Sequence, residues 1–370
     1  MVRKQDQVRG CLLGAAAGDA LGYGVEALSL EEILERFGPE GIQGYDTING
    51  YAHISCNTQQ ALFTANGLLF GATRGATRGV MAPYVKYLEA FYRDWAATQR
   101  YTGRRGPVKA YAWLCCVDTL FSRRNPDHTT LFCVDRDRLG TTHEPVNRSR
   151  NHYGLTRSIP IGLFLEPRGS GRQEAALLGA ESAALTVGDP LGFLPAAFLA
   201  DLLNRILFDP PESFTALLCR TCAAMERQFG SQFPQTREIC AALYKMQVIA
   251  GEPLEPREVL ERLHPQDALS VLAGACYVCL KFPGDFDRGI VAAVNHSGLS
   301  AAVGAVAGAI LGAMLGTDGV PEFYLEPLEL RAVMEELADD LFQGCSLTRD
   351  GRLFDDQWDQ KYVQCTYDPL

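Results

Sequence analysis

Positive charge is what this sequence is short of. Its 370 residues set 34 Lys and Arg against 44 Asp and Glu, a net charge of -10. A nucleic-acid binder needs a basic face for phosphates, so that class is excluded. A cationic protein partner stays compatible, as does a small ligand held by local geometry. Sustained strand alternation is also missing, and no repeat with a period of 20–50 residues is visible. A membrane span is missing as well. The longest uncharged run, residues 290–317, is rich in Gly and Ala and is broken by Asn295, His296 and Ser297, which reads as a buried helix. The opening "MVRKQDQVRGCLLGAAAGDALG" starts basic and turns apolar, but Asp19 interrupts it and the Gly-Ala pattern runs on. The expectation is a cytoplasmic protein whose first helix starts near Asp6.

What is present is helix. Hydrophobic residues make up 47% of the chain, enough for a sizeable core. "SLEEILERFG" carries Ser29 as an N-cap, Glu32 three residues on and Gly38 as the stop. "VMAPYVKYLEAFYRDWAAT", "RQEAALLGAESAALTVGDP", "LGFLPAAFLADLLNRILF", "FTALLCRTCAAMERQF" and "LELRAVMEELADDLFQG" repeat apolar residues at helical spacing. A single all-α domain over residues 1–345 follows, with 346–370 as a C-terminal tail that has lost the period. Two stretches, 46–58 and 118–159, read as loops, the second too long for a plain connector. Gly304, Gly308, Gly312 and Gly316 form a bare stripe. Each costs ~1 kcal/mol of helix propensity, which close approach of "GCLLGAAAGDALG", through Gly14 and Gly18, offsets.

The 12 cysteines are expected to be mostly free thiols. Cys219/Cys222 and Cys276/Cys279 are spaced as CxxC, but both pairs fall inside apolar helical patterns more than 50 residues apart. Core packing is therefore expected rather than metal or redox chemistry.

Several stretches resemble one family. "RGCLLGAAAGDALGYGVE", "ISCNTQQALFTANGLL", "NRSRNHYGLTRSIPIGLF", "AALTVGDPLG" and "NHSGLSAAVGAVAGAILGAMLG" are similar, in order, to segments of the ADP-ribosylglycohydrolases, the family that includes dinitrogenase reductase-activating glycohydrolase. The resemblance covers roughly residues 5–345. It implies an all-α fold around a central cleft, and in active members two Mg²⁺ ions that organise hydrolysis of an ADP-ribosyl bond. The implied ligand motifs are Thr/Ser-Asp-Asp-Thr and Gly-Gly-Asp-Ser-Asp-Thr.

Here the first motif reads Ser55-Cys56-Asn57-Thr58 and the second Ser297-Gly298-Leu299-Ser300-Ala301-Ala302. Magnesium wants hard oxygen ligands. A thiol and an amide replace the first two carboxylates, and Leu299, Ala301 and Ala302 replace the second ligand set. No metal and no cofactor are expected on this donor set. The family's Asn-x-Ser-x-Gly-Cys-Gly segment matches Asn147 and Ser149, followed by Asn151, His152 and Tyr153, whose bulk refills space that glycine leaves open. The family's Thr-His pair is Thr186-Val187 here.

Retained polar residues each have two readings. Asp19 is either a carboxylate bonding backbone amides at a helix end or a ligand contact. Glu26 either touches a ribose or is solvated. Arg157 and Ser158 are candidates for a phosphate. His296 is either a hydrogen-bonded loop residue or a base, and Cys56 lacks an adjacent partner base for nucleophilic chemistry. The expected function is a catalytically inactive pseudo-hydrolase that binds ADP-ribose, a nucleotide or a protein partner, the last through the Arg-rich loop 123–157 and the tail, or that serves structurally. The alternative is a divergent ADP-ribosyl hydrolase, for which Asp19, Glu26 and Asp46 are the nearby acids.

Overall fold

The computed structural model describes residues 4–79, 82–100, 110–167 and 171–364. Among them no strand forms, and only the isolated bridges Ile48–Tyr51 and Ala52–Leu328 pair extended backbone. The first half comprises α1 (Gln5–Tyr23), α2 (Leu30–Phe37), α3 (Cys56–Arg78), α4 (Tyr84–Thr98), α5 (His128–Asp135), α6 (Tyr153–Thr156) and α7 (Ile159–Phe164). Next come α8 (Gly171–Ala184), α9 (Pro190–Phe208), α10 (Phe214–Phe229), α11 (Thr236–Ala250) and α12 (Pro256–Leu263). The chain closes with α13 (Ala268–Lys281), α14 (Phe286–Val294), α15 (Ser300–Leu315), α16 (Glu322–Leu325), α17 (Arg331–Gln343) and α18 (Asp356–Asp359).

The centre is the antiparallel contact of α1 with α15. A Cβ on Gly18 would lie 1.9 Å from the Gly304 carbonyl oxygen, and one on Gly14 or Gly10 would lie 2.4 Å from that of Gly308 or Gly312. Backbone therefore touches backbone, and only glycine fits. Gly22, against Ser300, continues the α1 stripe. Gly316 does not belong to it. It sits just past α15 with φ 74°, where a Cβ would strike the Asp6 carboxylate. Spacing alone could not distinguish this helix stop from a fourth packing glycine.

The uncharged run 290–317 is two elements, α14 and α15, joined by the turn through Asn295–Leu299. One described helix, α9, is long and apolar enough to cross a membrane by composition; here it is almost wholly buried in the protein. It also holds the buried ion pair Asp201–Arg205 at 2.6 Å.

The 118–159 stretch is more ordered than a loop. It carries α5 and α6, and α5 is capped by Asp127, whose carboxylate accepts from the amides of Thr129 and Thr130. Ser29 and Glu32 form the expected reciprocal cap of α2. The tail packs down through Trp358, whose Nε1 donates to Thr73 Oγ1 at 2.9 Å, and through Tyr362, whose hydroxyl donates to Asp340. Its last six residues lie outside the described ones. The two CxxC pairs part company: Cys276 and Cys279 are buried as expected, but Cys219 is exposed and Cys222 half-buried. Core packing is thus corrected for the first pair, because α10 lies at the surface and turns that edge outward.

Candidate functional site

Asp19 lies in the last turns of α1, fully buried, where α1 meets the start of α3. Its carboxylate accepts from the Ser55 amide at 2.8 Å, Ser55 Oγ at 2.5 Å, Thr58 Oγ1 at 2.6 Å, Asn57 Nδ2 at 3.2 Å and the Thr58 amide at 3.4 Å. A helix N-terminus presents unpaired amides and partial positive charge, so an anion is stable there. Burial pushes the Asp19 pKa up and these hydrogen bonds pull against it, leaving it above the usual carboxylate value.

Glu26 does the same at the other helix. The start of α15 has no side-chain cap of its own. Glu26 Oε2 accepts the Ala301 amide at 2.7 Å, and Oε1 accepts from Asn125 Nδ2 at 3.1 Å. Burial, with Asp19 nearby, raises the Glu26 pKa to about 7.

These contacts test whether the two motif positions fit magnesium. Ser55 Oγ gives its proton to Asp19 and accepts the Asn57 amide at 3.1 Å. The Cys56 thiol is buried, donates to the Asn125 carbonyl at 2.9 Å and titrates well above its ordinary range. Asn57 Oδ1 accepts from Thr156 Oγ1 at 3.0 Å. On the facing side Ala301 and Ala302 are buried and Leu299 half-buried, none with a side-chain oxygen. Magnesium needs near-octahedral oxygen ligands, chiefly carboxylates. The residues present do not fit it: the Asp19 carboxylate is saturated by protein donors, the sulfur is soft and protonated, the side chains of Leu299, Ala301 and Ala302 are hydrocarbon, and Glu26 is spent on Ala301 and Asn125. Among the described residues no group of three or more His, Cys, Asp and Glu is arranged to hold a metal ion.

The expectation of a phosphate at Arg157 is corrected. The guanidinium is fully buried, donates to Gln60 Oε1, Thr130 Oγ1, the Ser182 carbonyl and Thr186 Oγ1 at 2.6–3.1 Å, and lies over the Tyr92 ring. It binds the core together and presents nothing to solvent. Ser158 is equally buried and donates to the Leu155 carbonyl at 2.8 Å. His296 is buried, pairing Nε2 with the Ala293 carbonyl and Nδ1 with the Gly298 amide, each at 3.0 Å. Burial lowers its pKa to about 4, so it is a neutral turn residue.

Asn147 staples its loop, donating to the Thr186 carbonyl and accepting the Ser149 and Gly188 amides. Ser149 Oγ in turn accepts the Asn151 amide. His152 is buried against Tyr153, ring centroids 4.0 Å apart, with its pKa lowered to about 3 and Nε2 unpartnered. The Tyr153 hydroxyl reaches the Asn125 carbonyl at 3.4 Å. Asp46 pairs with Arg36 on the surface.

Asn125 is the residue that sequence reasoning missed. It joins Glu26, Cys56 and Tyr153, and holds φ at 51°. The signal was there, since Asn125-Pro126 is a turn dipeptide immediately before the Asp127 cap.

A glycine-locked helix pair, with a buried carboxylate at the start of α3 and a half-buried one at the start of α15, defines an all-α protein built around two helix N-termini. The ADP-ribosylglycohydrolase family matches residues 1–351 of it, and the chain belongs to that family. Among solved structures, one described as an "ADP-ribosylglycohydrolase-related protein complex" is 26% identical. The match covers 92% of this chain and 98% of that one, with a TM-score of 0.58. A search of curated proteins gave no match.

Proposed function

We propose that this chain is a non-hydrolysing member of the ADP-ribosylglycohydrolase family, without the dinuclear magnesium site, that acts by binding or as a structural or regulatory partner in the cytoplasm. The observation that carries this is the state of Asp19. This fully buried acidic side chain at the first motif is spent on Ser55, Asn57 and Thr58, the positions around the missing ligands. A carboxylate so engaged costs several hydrogen bonds to free for a metal. The candidate targets are ADP-ribose, a nucleotide or a protein; neither nucleic acid nor a membrane suits the charge or the buried apolar helices.

Calorimetric titration with ADP-ribose, with and without Mg²⁺, tests the reading. Heat that is independent of Mg²⁺ supports a ligand reader, and no heat supports a scaffold. Release of ADP-ribose from modified arginine, abolished by chelator, overturns it.

One observation favours the divergent-hydrolase alternative, acting on ADP-ribosylated side chains or small molecules. Glu26, with its pKa near 7, is the kind of carboxyl that can hold a proton at neutral pH for a leaving group. Chelator-resistant hydrolysis that disappears in Glu26→Gln would establish it.

A further inference from the structure

The pair Cys219/Cys222 is left unexplained by core packing. Both sit on α10, which lies antiparallel to α11. Cys219 Sγ and the Gln247 side chain are 3.8 Å apart, and one helical stretch further along Cys240 Sγ lies 3.8 Å from the Cys222 carbonyl oxygen. The partner of Cys222 is therefore not its neighbour in the CxxC spacing but Cys240 on the facing helix. All three cysteines are free, Cys219 exposed and Cys222 and Cys240 half-buried, whereas Cys276 behind them on α13 is buried.

We propose that Cys222 and Cys240 form an oxidation site: a vicinal dithiol, reached from solvent, that hydroperoxides convert to an inter-helix disulfide. The reaction balances in two steps. The thiolate of one of the pair attacks an oxygen of hydrogen peroxide, giving the sulfenic acid and hydroxide. The other thiol then attacks that sulfur, forming the S–S bond and releasing water. Overall two thiols are oxidised, one peroxide is reduced and two waters leave. A dithiol reductant reverses it.

The Cys240 thiol donates to the Cys222 carbonyl oxygen at 3.8 Å, which brings the two cysteines together across the α10–α11 pair without singling out either sulfur as the nucleophile. Thiolate character and access are the two properties that set peroxide reactivity. Cys222 and Cys240 are both half-buried at the α10–α11 contact, so both sulfurs lie within reach of solvent.

Tryptic cleavage makes the test specific, because Arg220 separates Cys219 from Cys222. The full chain is treated with stoichiometric hydrogen peroxide, free thiols are alkylated under denaturing conditions, and the digest is analysed without reduction. The expected product is peptide 221–227 linked to peptide 238–245, lost in Cys222→Ser and in Cys240→Ser and kept within about two-fold in Cys219→Ser. Circular dichroism shows whether each variant is folded, and the wild-type cross-link needs no variant at all. The proposal is overturned if both cysteines stay alkylatable, or if oxidation stops at sulfinic acid. It is equally overturned if the linkage is Cys219–Cys222 or Cys222–Cys276.

Discussion

Glu26 Oε2 accepts the backbone amide of Ala301 at 2.7 Å and so supplies the cap that the first turn of α15 lacks. A carboxylate from one loop thereby stands where the family's second ligand motif begins. The protein keeps charge at that helix start by borrowing it from Glu26, not by carrying it on residues 299–302.

A pH dependence follows. The Glu26 pKa is raised from 4.5 to about 7 in the folded chain. Between those values the folded state binds more proton than the unfolded one, so this residue's contribution to stability falls as pH rises from about 4.5 through about 7. Glu26→Gln keeps an acceptor for Ala301 and removes the titration. Its urea midpoint is expected to show a flatter pH profile than wild type across that window. Glu26→Ala loses the cap, at a cost of about 1 kcal/mol or more at low pH that shrinks as pH rises through about 7. A variant profile parallel to wild type would sink the assignment.

Asp19 makes a sharper prediction. Asp19→Ala leaves the Ser55 amide, the Thr58 hydroxyl and the Asn57 amide group buried without their acceptor. Each such orphan costs about 1–3 kcal/mol, so the variant is expected to lose several kcal/mol or fail to fold. Asp19→Asn turns one acceptor into a donor that faces donors, and rescues little. Chemical denaturation reads both. Magnesium at millimolar concentration is expected to leave the wild-type midpoint unmoved, since a ligand binding only the folded state would raise it.

The α1–α15 contact can be tested by adding single carbons. Gly18→Ala and Gly308→Ala each place a Cβ at 2.0 Å or less from a carbonyl oxygen of the facing helix. Backbone cannot swing aside as a side chain does, so a loss of about 3 kcal/mol or more is expected. Gly284→Ala has nothing within 4 Å and serves as the control, with a change expected within about 0.5 kcal/mol. Equal melting temperatures for Gly18→Ala and Gly284→Ala would refute the close contact.

What was legible in the sequence was what is local. The α10 stretch Phe214–Phe229 and the Ser29/Glu32 cap follow from spacing within a few turns, and so does the glycine stripe. Gly10 and Gly22 share that spacing and were equally readable. What was not legible depends on distant partners. Arg157 matches a family segment, yet its role is set by Gln60, Thr130, Ser182 and Thr186, brought from three other places in the chain. The half-exposed Cys222 was hidden the same way: the apolar period shows that α10 packs, and only the fold shows which edge of it meets Cys240. Asp127 was missed because a cap in a polar stretch, ahead of an eight-residue helix, offers little periodicity to detect.

Restoring one acid at a time should fail. Ala301 is fully buried, and its surroundings supply the Glu26 carboxylate rather than a cation. Ala301→Asp therefore puts a second carboxyl beside Glu26, where like charges and burial keep it protonated or expel it. A destabilisation of about 2 kcal/mol or more is expected, larger at pH 8 than at pH 5, because the unfolded state ionises freely while the folded state resists. Magnesium is expected not to recover the loss, as Cys56, Asn57 and Leu299 still bring no carboxylate. The test is the urea midpoint of Ala301→Asp at both pH values with and without Mg²⁺. A midpoint that returns to the wild-type value with Mg²⁺ would show that the mouth retains a usable metal site, and would overturn the proposal that the chain works without one.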